Sequence, residues 1–219
     1  LVKYKYPLEN YDKAFEKVAW TLLFRGYTGN NWFAAESSTL VAAALSLKDA
    51  QKRNFYLDFY LNRDTVVDGC GQLSLPSASK LWFTPDGHWK EPGGYHNYPV
   101  SKLIEAALML ENNGYQIFNQ YPILLNASYV MLKYSFPDLT ASAFGDTGRP
   151  RQSMECLESA ILMADKYQLP ILPDLLNAAM ILEQAGQYDR SKSGLTGLLC
   201  YLPELPKAKS GDNHLWNRS

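Results

Sequence analysis

The chain contains no uninterrupted apolar run of about 18 residues, the length a helix needs to cross a bilayer, so no membrane span is expected. Its opening Leu1-Val2-Lys3-Tyr4-Lys5-Tyr6 also lacks the apolar centre and small-residue site of a signal peptide. Neither sign of charge dominates: 21 Lys and Arg stand against 22 Asp and Glu, a formal net charge of −1. That balance argues against DNA or RNA as a partner, yet it leaves room for basic residues focused in one groove and hence for an acidic polysaccharide. Cysteine is scarce. Cys70, Cys156 and Cys200 form an odd set with no CxxC or metal-ligand spacing and read as small, mostly buried thiols. No HExxH occurs, so no zinc site is expected, and nothing in the sequence calls for a cofactor. Strict apolar–polar alternation is almost absent, which excludes a half-buried sheet as the main architecture.

What is present is helical periodicity in a chain of 219 residues that is 47% hydrophobic, enough for one sizeable core. Phe15, Val18, Ala19, Leu22 and Leu23 share a stripe within a helix expected over Tyr11 to Phe24. Further helices are expected over Ala34 to Leu47, Asp49 to Asn62, Pro99 to Glu111, Gln116 to Tyr134, Gln152 to Tyr167, Pro173 to Gln184 and Ser191 to Leu199. Pro173 suits a first helical turn, and Gly114 and Gly186 suit C-terminal stops. Between Arg63 and Lys90, Gly69, Gly71, Pro76, Pro85 and Gly87 mark a long irregular connection of the kind that usually carries function. Helices joined by alternating short and long loops predict an all-α fold of stacked hairpins, an incomplete (α/α) toroid in a single domain over residues 1–219. The end at Leu215-Trp216-Asn217-Arg218-Ser219, just past a Gly-Asp-Asn turn signal, together with the absence of an initiator Met, reads as a portion of a longer protein.

Three loops concentrate chemistry. The richest is Asp86-Gly87-His88-Trp89-Lys90-Glu91-Pro92-Gly93-Gly94-Tyr95-His96-Asn97-Tyr98, which holds two of the three histidines beside a carboxylate, an indole and two phenols. Such groups on a loop held by a rigid element are what a binding or catalytic site needs. Pro92-Gly93-Gly94 reads as the turn that fixes the entry of Tyr95; Tyr95 and Tyr98, three apart, share a face once helix begins. His96 is a candidate base, substrate ligand or cap, and His88 a loop histidine. Glu91 is either a substrate contact or a support that orients the Tyr or His.

In Tyr27-Thr28-Gly29-Asn30-Asn31-Trp32, either asparagine can cap the following helix, while two exceed what one cap requires. Asn31 can offer its amide to a carboxylate, and Trp32, like Trp89, can present a stacking face to a sugar. Glu36, one turn along, either supports the site or is a solvated side chain. In Phe144-Gly145-Asp146-Thr147-Gly148-Arg149-Pro150-Arg151, Asp146 is a candidate cap, and Arg149 and Arg151 can pair bidentately with a carboxylate or sulfate or remain surface arginines.

Asn-Asn-Trp at a helix start, Asp-Gly-x-Trp-x-Glu-x-x-x-Tyr-His-x-Tyr about 55 residues later, and then Phe-Gly-Asp-Thr together resemble the (α/α) toroid domain of heparinase II/III-like polysaccharide lyases over roughly Tyr27 to Arg151. The resemblance implies β-elimination on a uronic-acid polysaccharide, glycosaminoglycan-like or alginate-like. It also implies a downstream β-sandwich domain and a periplasmic or secreted location. By the same resemblance Asn31 neutralises the uronate carboxylate and Tyr95 is catalytic; His96 is the candidate partner base or acid, and Asn30, Trp32, Trp89, Glu91, Arg149 and Arg151 are the candidate substrate contacts. Many relatives carry His directly after the Asn, where this chain has Trp32; that role then passes to His96, to a histidine from elsewhere, or to Tyr95 alone. Asn31, Trp32, Tyr95, His96 and the Asp146 to Arg151 loop are expected on one concave face. The chemistry is coherent: hydrogen bonds to the charge developing on the carboxylate favour loss of the C5 proton, and a phenol, with a reference pKa near about 10, serves as base or acid when its surroundings tune it. Two other readings stand beside this one. One is a glycoside hydrolase with Asp86 and Glu91 as paired carboxylates; the other is a non-catalytic carbohydrate-binding domain.

Overall fold

The structure, a computed structural model, describes residues 8–91, 93–141 and 153–186. It is all-α: among the described residues nine α-helices and one 3-10 turn account for the regular elements, and β-type pairing there is confined to isolated bridges. No helix in these residues is long and apolar enough to cross a membrane. Backbone contacts divide the chain into two compact units, Leu1–Leu81 and Trp82–Ser219.

The first unit is built on α1 (Leu8–Arg25), α2 (Asn30–Leu45) and α3 (Ala50–Asn62), each in contact with the other two. Short connections at residues 26–29 and 46–49 leave successive helices little choice but to fold back on one another. Ala19, Leu23, Phe33, Leu40, Ala44, Leu57 and Tyr60 are buried among them, whereas Val18 of the expected stripe is exposed. The Asp49 side chain caps α3, accepting from the amides of Gln51 and Lys52. The connection from Arg63 contains a helix the sequence pattern did not announce, α4 (Leu75–Trp82). Pro76, a loop marker on composition alone, lies in its first turn, where a missing N–H costs nothing. Asp64 secures that start by accepting from Ser74 N at 2.7 Å and from the Ser77 hydroxyl at 2.8 Å.

The second unit is organised on α5 (Asn97–Glu111), which contacts α6 (Ile117–Gln120), α7 (Pro122–Lys133) and α8 (Met154–Lys166); α8 in turn packs on α9 (Leu172–Gln184). Every α5 residue from Leu103 to Glu111 is buried, so this helix is enclosed rather than amphipathic. The expected helix over Gln116 to Tyr134 is two helices, because Pro122 has no N–H to continue the ladder and starts α7 in its own first turn. Gly114 and Gly186 adopt positive φ after α5 and α9, as their stop roles require. The expected helix over Ser191 to Leu199 lies outside the described residues.

Candidate functional site

In the second unit the motif loop folds back on itself from Trp82 to Lys90. Thr84 N donates to His88 O at 2.8 Å, Lys90 N to Trp82 O at 2.9 Å, and Gly87 makes the reversal at φ +97°. Trp89 is fully buried, its ring stacked on Trp82 at 5.4 Å with Phe83 edge-on at the same distance. Its indole N–H donates to Glu91 Oε2 at 2.8 Å. Trp89 is therefore a core anchor with no face to offer a sugar. Glu91, read as either a substrate contact or a support for the Tyr or His, accepts from the tryptophan.

His96 closes the 3-10 turn Gly93–His96 and is fully buried. Its Nδ1 lies 2.9 Å from the Trp89 amide, a donor only, so Nδ1 accepts; Nε2 carries the proton and donates to Ala127 O on α7 at 2.9 Å. Burial holds the imidazole neutral and pulls its pKa down from 6.5 to about 4. With both nitrogens committed, His96 fastens the motif loop to α7. Beside it at 4.8 Å sits the ring of His88, whose Nδ1 meets Trp89 O at 2.8 Å; the carbonyl can only accept, so Nδ1 bears the proton and Nε2 is the basic nitrogen.

Tyr95, immediately before His96, is 38% exposed, and its hydroxyl has no hydrogen-bond partner among the described residues. Tyr98 on the first turn of α5 is likewise exposed. A hydrogen-bonded group around Asp86 completes this end of the unit. Asp86 accepts from Thr84 Oγ1 at 2.5 Å and, in a very short bond, from the phenol of Tyr134 at the C-terminal end of α7. The Thr84 bond first and the Tyr134 bond second lower the Asp86 pKa to about 2, while the same carboxylate raises that of Tyr134. The Tyr134 ring meets His88 edge-on at 5.7 Å. Thr84-Pro85-Asp86-Gly87 is legible as a turn, whereas no local pattern announces a tyrosine 48 positions further on.

In the first unit, α2 starts at Asn30, with Gly29 in the N-cap position, so the backbone of Asn30 occupies the first helical position. Asn31 is half-buried, with no hydrogen bond from its side chain to another described residue, and Trp32 is 60% exposed. Glu36 is a support: its Oε2 accepts from Tyr27 N at 2.8 Å and Gln72 Nε2 at 2.7 Å, and burial raises its pKa. The Tyr27 to Trp32 loop is tied further by Gly71 N donating to Gly26 O at 2.8 Å. Asp146, Arg149 and Arg151 lie outside the described residues. Among the described residues no group of three or more His, Cys, Asp or Glu side chains is placed to hold a metal ion.

Compared with family models, curated proteins and solved structures, the chain matches none of them.

Proposed function

We propose that the chain is the helical toroid part of a polysaccharide lyase that cleaves an acidic, uronate-containing polysaccharide by β-elimination. The observation that carries this reading is the division of labour in the motif loop. Trp89, Glu91 and His96 are spent on holding the loop, while Tyr95 presents an exposed phenol from the turn they secure. A proton-transferring group needs that combination of a rigid mount and an unengaged reactive atom. The short hairpin connections of the first unit support the stacked-pair architecture.

In the reaction the Tyr95 oxygen takes the proton from C5 of the uronate. The C5–H electrons become the C4–C5 double bond, the C4–O4 bond breaks, and the phenol returns its proton to the departing O4. His96 acts as a positioning residue through the Trp89 amide and the Ala127 carbonyl. His88 Nε2 is the second proton acceptor on the same loop.

The protein is to be incubated with heparan sulfate, hyaluronan, chondroitin and alginate while ultraviolet absorbance is followed. Elimination leaves a conjugated C4–C5 double bond that absorbs; a rise with at least one substrate is expected. Chain cleavage without absorbance would replace the lyase by a hydrolase, and binding without cleavage would reduce it to a carbohydrate-binding domain.

A further inference from the structure

A cavity in the Trp82–Ser219 unit, of about 530 Å³, lies where α6 and α7 face the turn at residues 167–171. Its volume falls within the usual range of small-molecule sites. Phe118 and Leu169 supply apolar surface, Tyr129 and Tyr167 supply rings, and Asn119 and Asn126 supply amides; no charged side chain lines it. None of these residues belongs to the motif loop.

The polar groups are already sorted into donors and acceptors. The Tyr129 hydroxyl donates to Asn126 Oδ1 at 2.9 Å, one turn back on α7, so Asn126 keeps its oxygen occupied and retains two N–H donors with no partner among the described residues. Asn119 makes only a long contact from Nδ2 to Gln116 Oε1, 3.5 Å, which leaves its Oδ1 as an acceptor. The Tyr167 hydroxyl is held by the Glu111 carboxylate at 3.1 Å. Lys166, over the Tyr167 ring at 5.2 Å, is neutralised by that same carboxylate at 2.5 Å, and Lys133, over the Tyr129 ring at 5.5 Å, is not among the lining side chains.

We propose that this cavity binds an uncharged sugar, a neutral pyranoside whose apolar ring face lies against the tyrosines and whose hydroxyls bridge the Asn126 donors and the Asn119 acceptor. A hydroxyl gives and receives a hydrogen bond at one atom, which suits a site with both on offer. A purely apolar ligand would leave the Asn126 amide unpaired on burial. A uronate would bury its carboxylate against a lining that has no charged side chain. The assignment is independent of the lyase reading, whose substrate is acidic.

The full chain is to be titrated with cellobiose, with N,N′-diacetylchitobiose and, as the charged counterpart, with glucuronic acid, using ligand-observed NMR and calorimetry. Saturable binding of at least one neutral disaccharide is expected, with a Kd on the order of 1 mM, and none of glucuronic acid at the same concentrations. Asn126→Ala, which keeps the Cβ and removes the amide, is expected to weaken binding about five-fold or more. Leu169→Trp is expected to fill the cavity and abolish it. Thermal midpoints accompany each variant; should Leu169→Trp unfold the unit, Asn126→Ala decides. Absence of saturable neutral-sugar binding, equal affinity for glucuronic acid, or affinity unchanged by Asn126→Ala would each overturn the proposal.

Discussion

The Trp89 amide donates to His96 Nδ1 at 2.9 Å, and the opposite nitrogen of the same imidazole donates to the Ala127 carbonyl, so one neutral ring joins the motif loop to α7. The bridge works only in a single protonation state. A proton on Nδ1 would set two N–H groups against each other at the Trp89 contact and bury a charge.

Stability should therefore depend on pH in a defined window. Unfolded, the imidazole titrates near 6.5; folded, it titrates near about 4. Between those values the unfolded chain binds the extra proton, so the stabilisation is complete above pH 6.5 and is lost as pH falls toward 4, at a cost of roughly 3 kcal/mol. Urea unfolding from pH 7 to 4 measures it. His96→Gln should lower stability throughout but flatten the slope, and an unaltered slope would show that another group titrates.

The Asp86 window lies lower. Its folded pKa near 2 against an ordinary 3.8 means that its contribution is present above pH 3.8 and disappears as pH falls through 2. Tyr134→Phe removes one of its two side-chain donors, and the larger, from Thr84, remains. The Asp86 carboxyl, followed by carbon NMR, should titrate higher in the variant than in the parent yet still below 3.8. An unchanged titration would place Tyr134 outside the Asp86 shell.

The helices were largely legible because burial repeats at helical spacing: α3, α5 and α9 begin and end within a few residues of where apolar period, caps and prolines put them. What escaped depended on which neighbour a residue would meet. Pro76 and Pro122 both stand in the first turn of a helix, although composition put the first in a loop and periodicity put the second inside a longer helix. The motif loop was found by its composition, but nothing in its composition separates the anchors Trp89 and His96 from the exposed Tyr95. That distinction is made by Trp82, Phe83 and Ala127, the last of them 31 positions from His96.

Gly87 is constrained twice, by its φ of +97° and by its neighbours: a Cβ there would come within 2.8 Å of Ala127 N and 2.9 Å of Asn126 Cβ. Gly114 shares the positive φ, +89°, but a Cβ would meet nothing within 4 Å. Gly114→Ala should cost about 1–2 kcal/mol from the left-handed backbone alone, whereas Gly87→Ala adds an overpacking cost of about 1–3 kcal/mol where the loop meets α7. Equal losses in chemical denaturation would mean that the loop does not approach α7 this closely.

Tyr95 and Tyr98 form a natural internal control, since both are exposed aromatics within one turn of each other at the start of α5. Tyr95→Phe keeps the ring and deletes the only side-chain atom that can move a proton. With no partner to its hydroxyl among the described residues, folding should be unaffected, and the thermal midpoint should stay within about 1 °C for a change below about 0.3 kcal/mol. Turnover should fall by about 10²–10⁴-fold, as loss of a positioned acid or base typically requires, and the loss should appear in kcat more than in KM. Tyr98→Phe should change kcat by less than about three-fold, an effect of less than 1 kcal/mol. If Phe at position 95 leaves most of the turnover intact, Tyr95 is not the proton-transferring group, and His88, with its basic Nε2 on the same loop, becomes the residue to replace. If both variants lose turnover alike, the phenols act in binding rather than in proton transfer, and KM should carry the change.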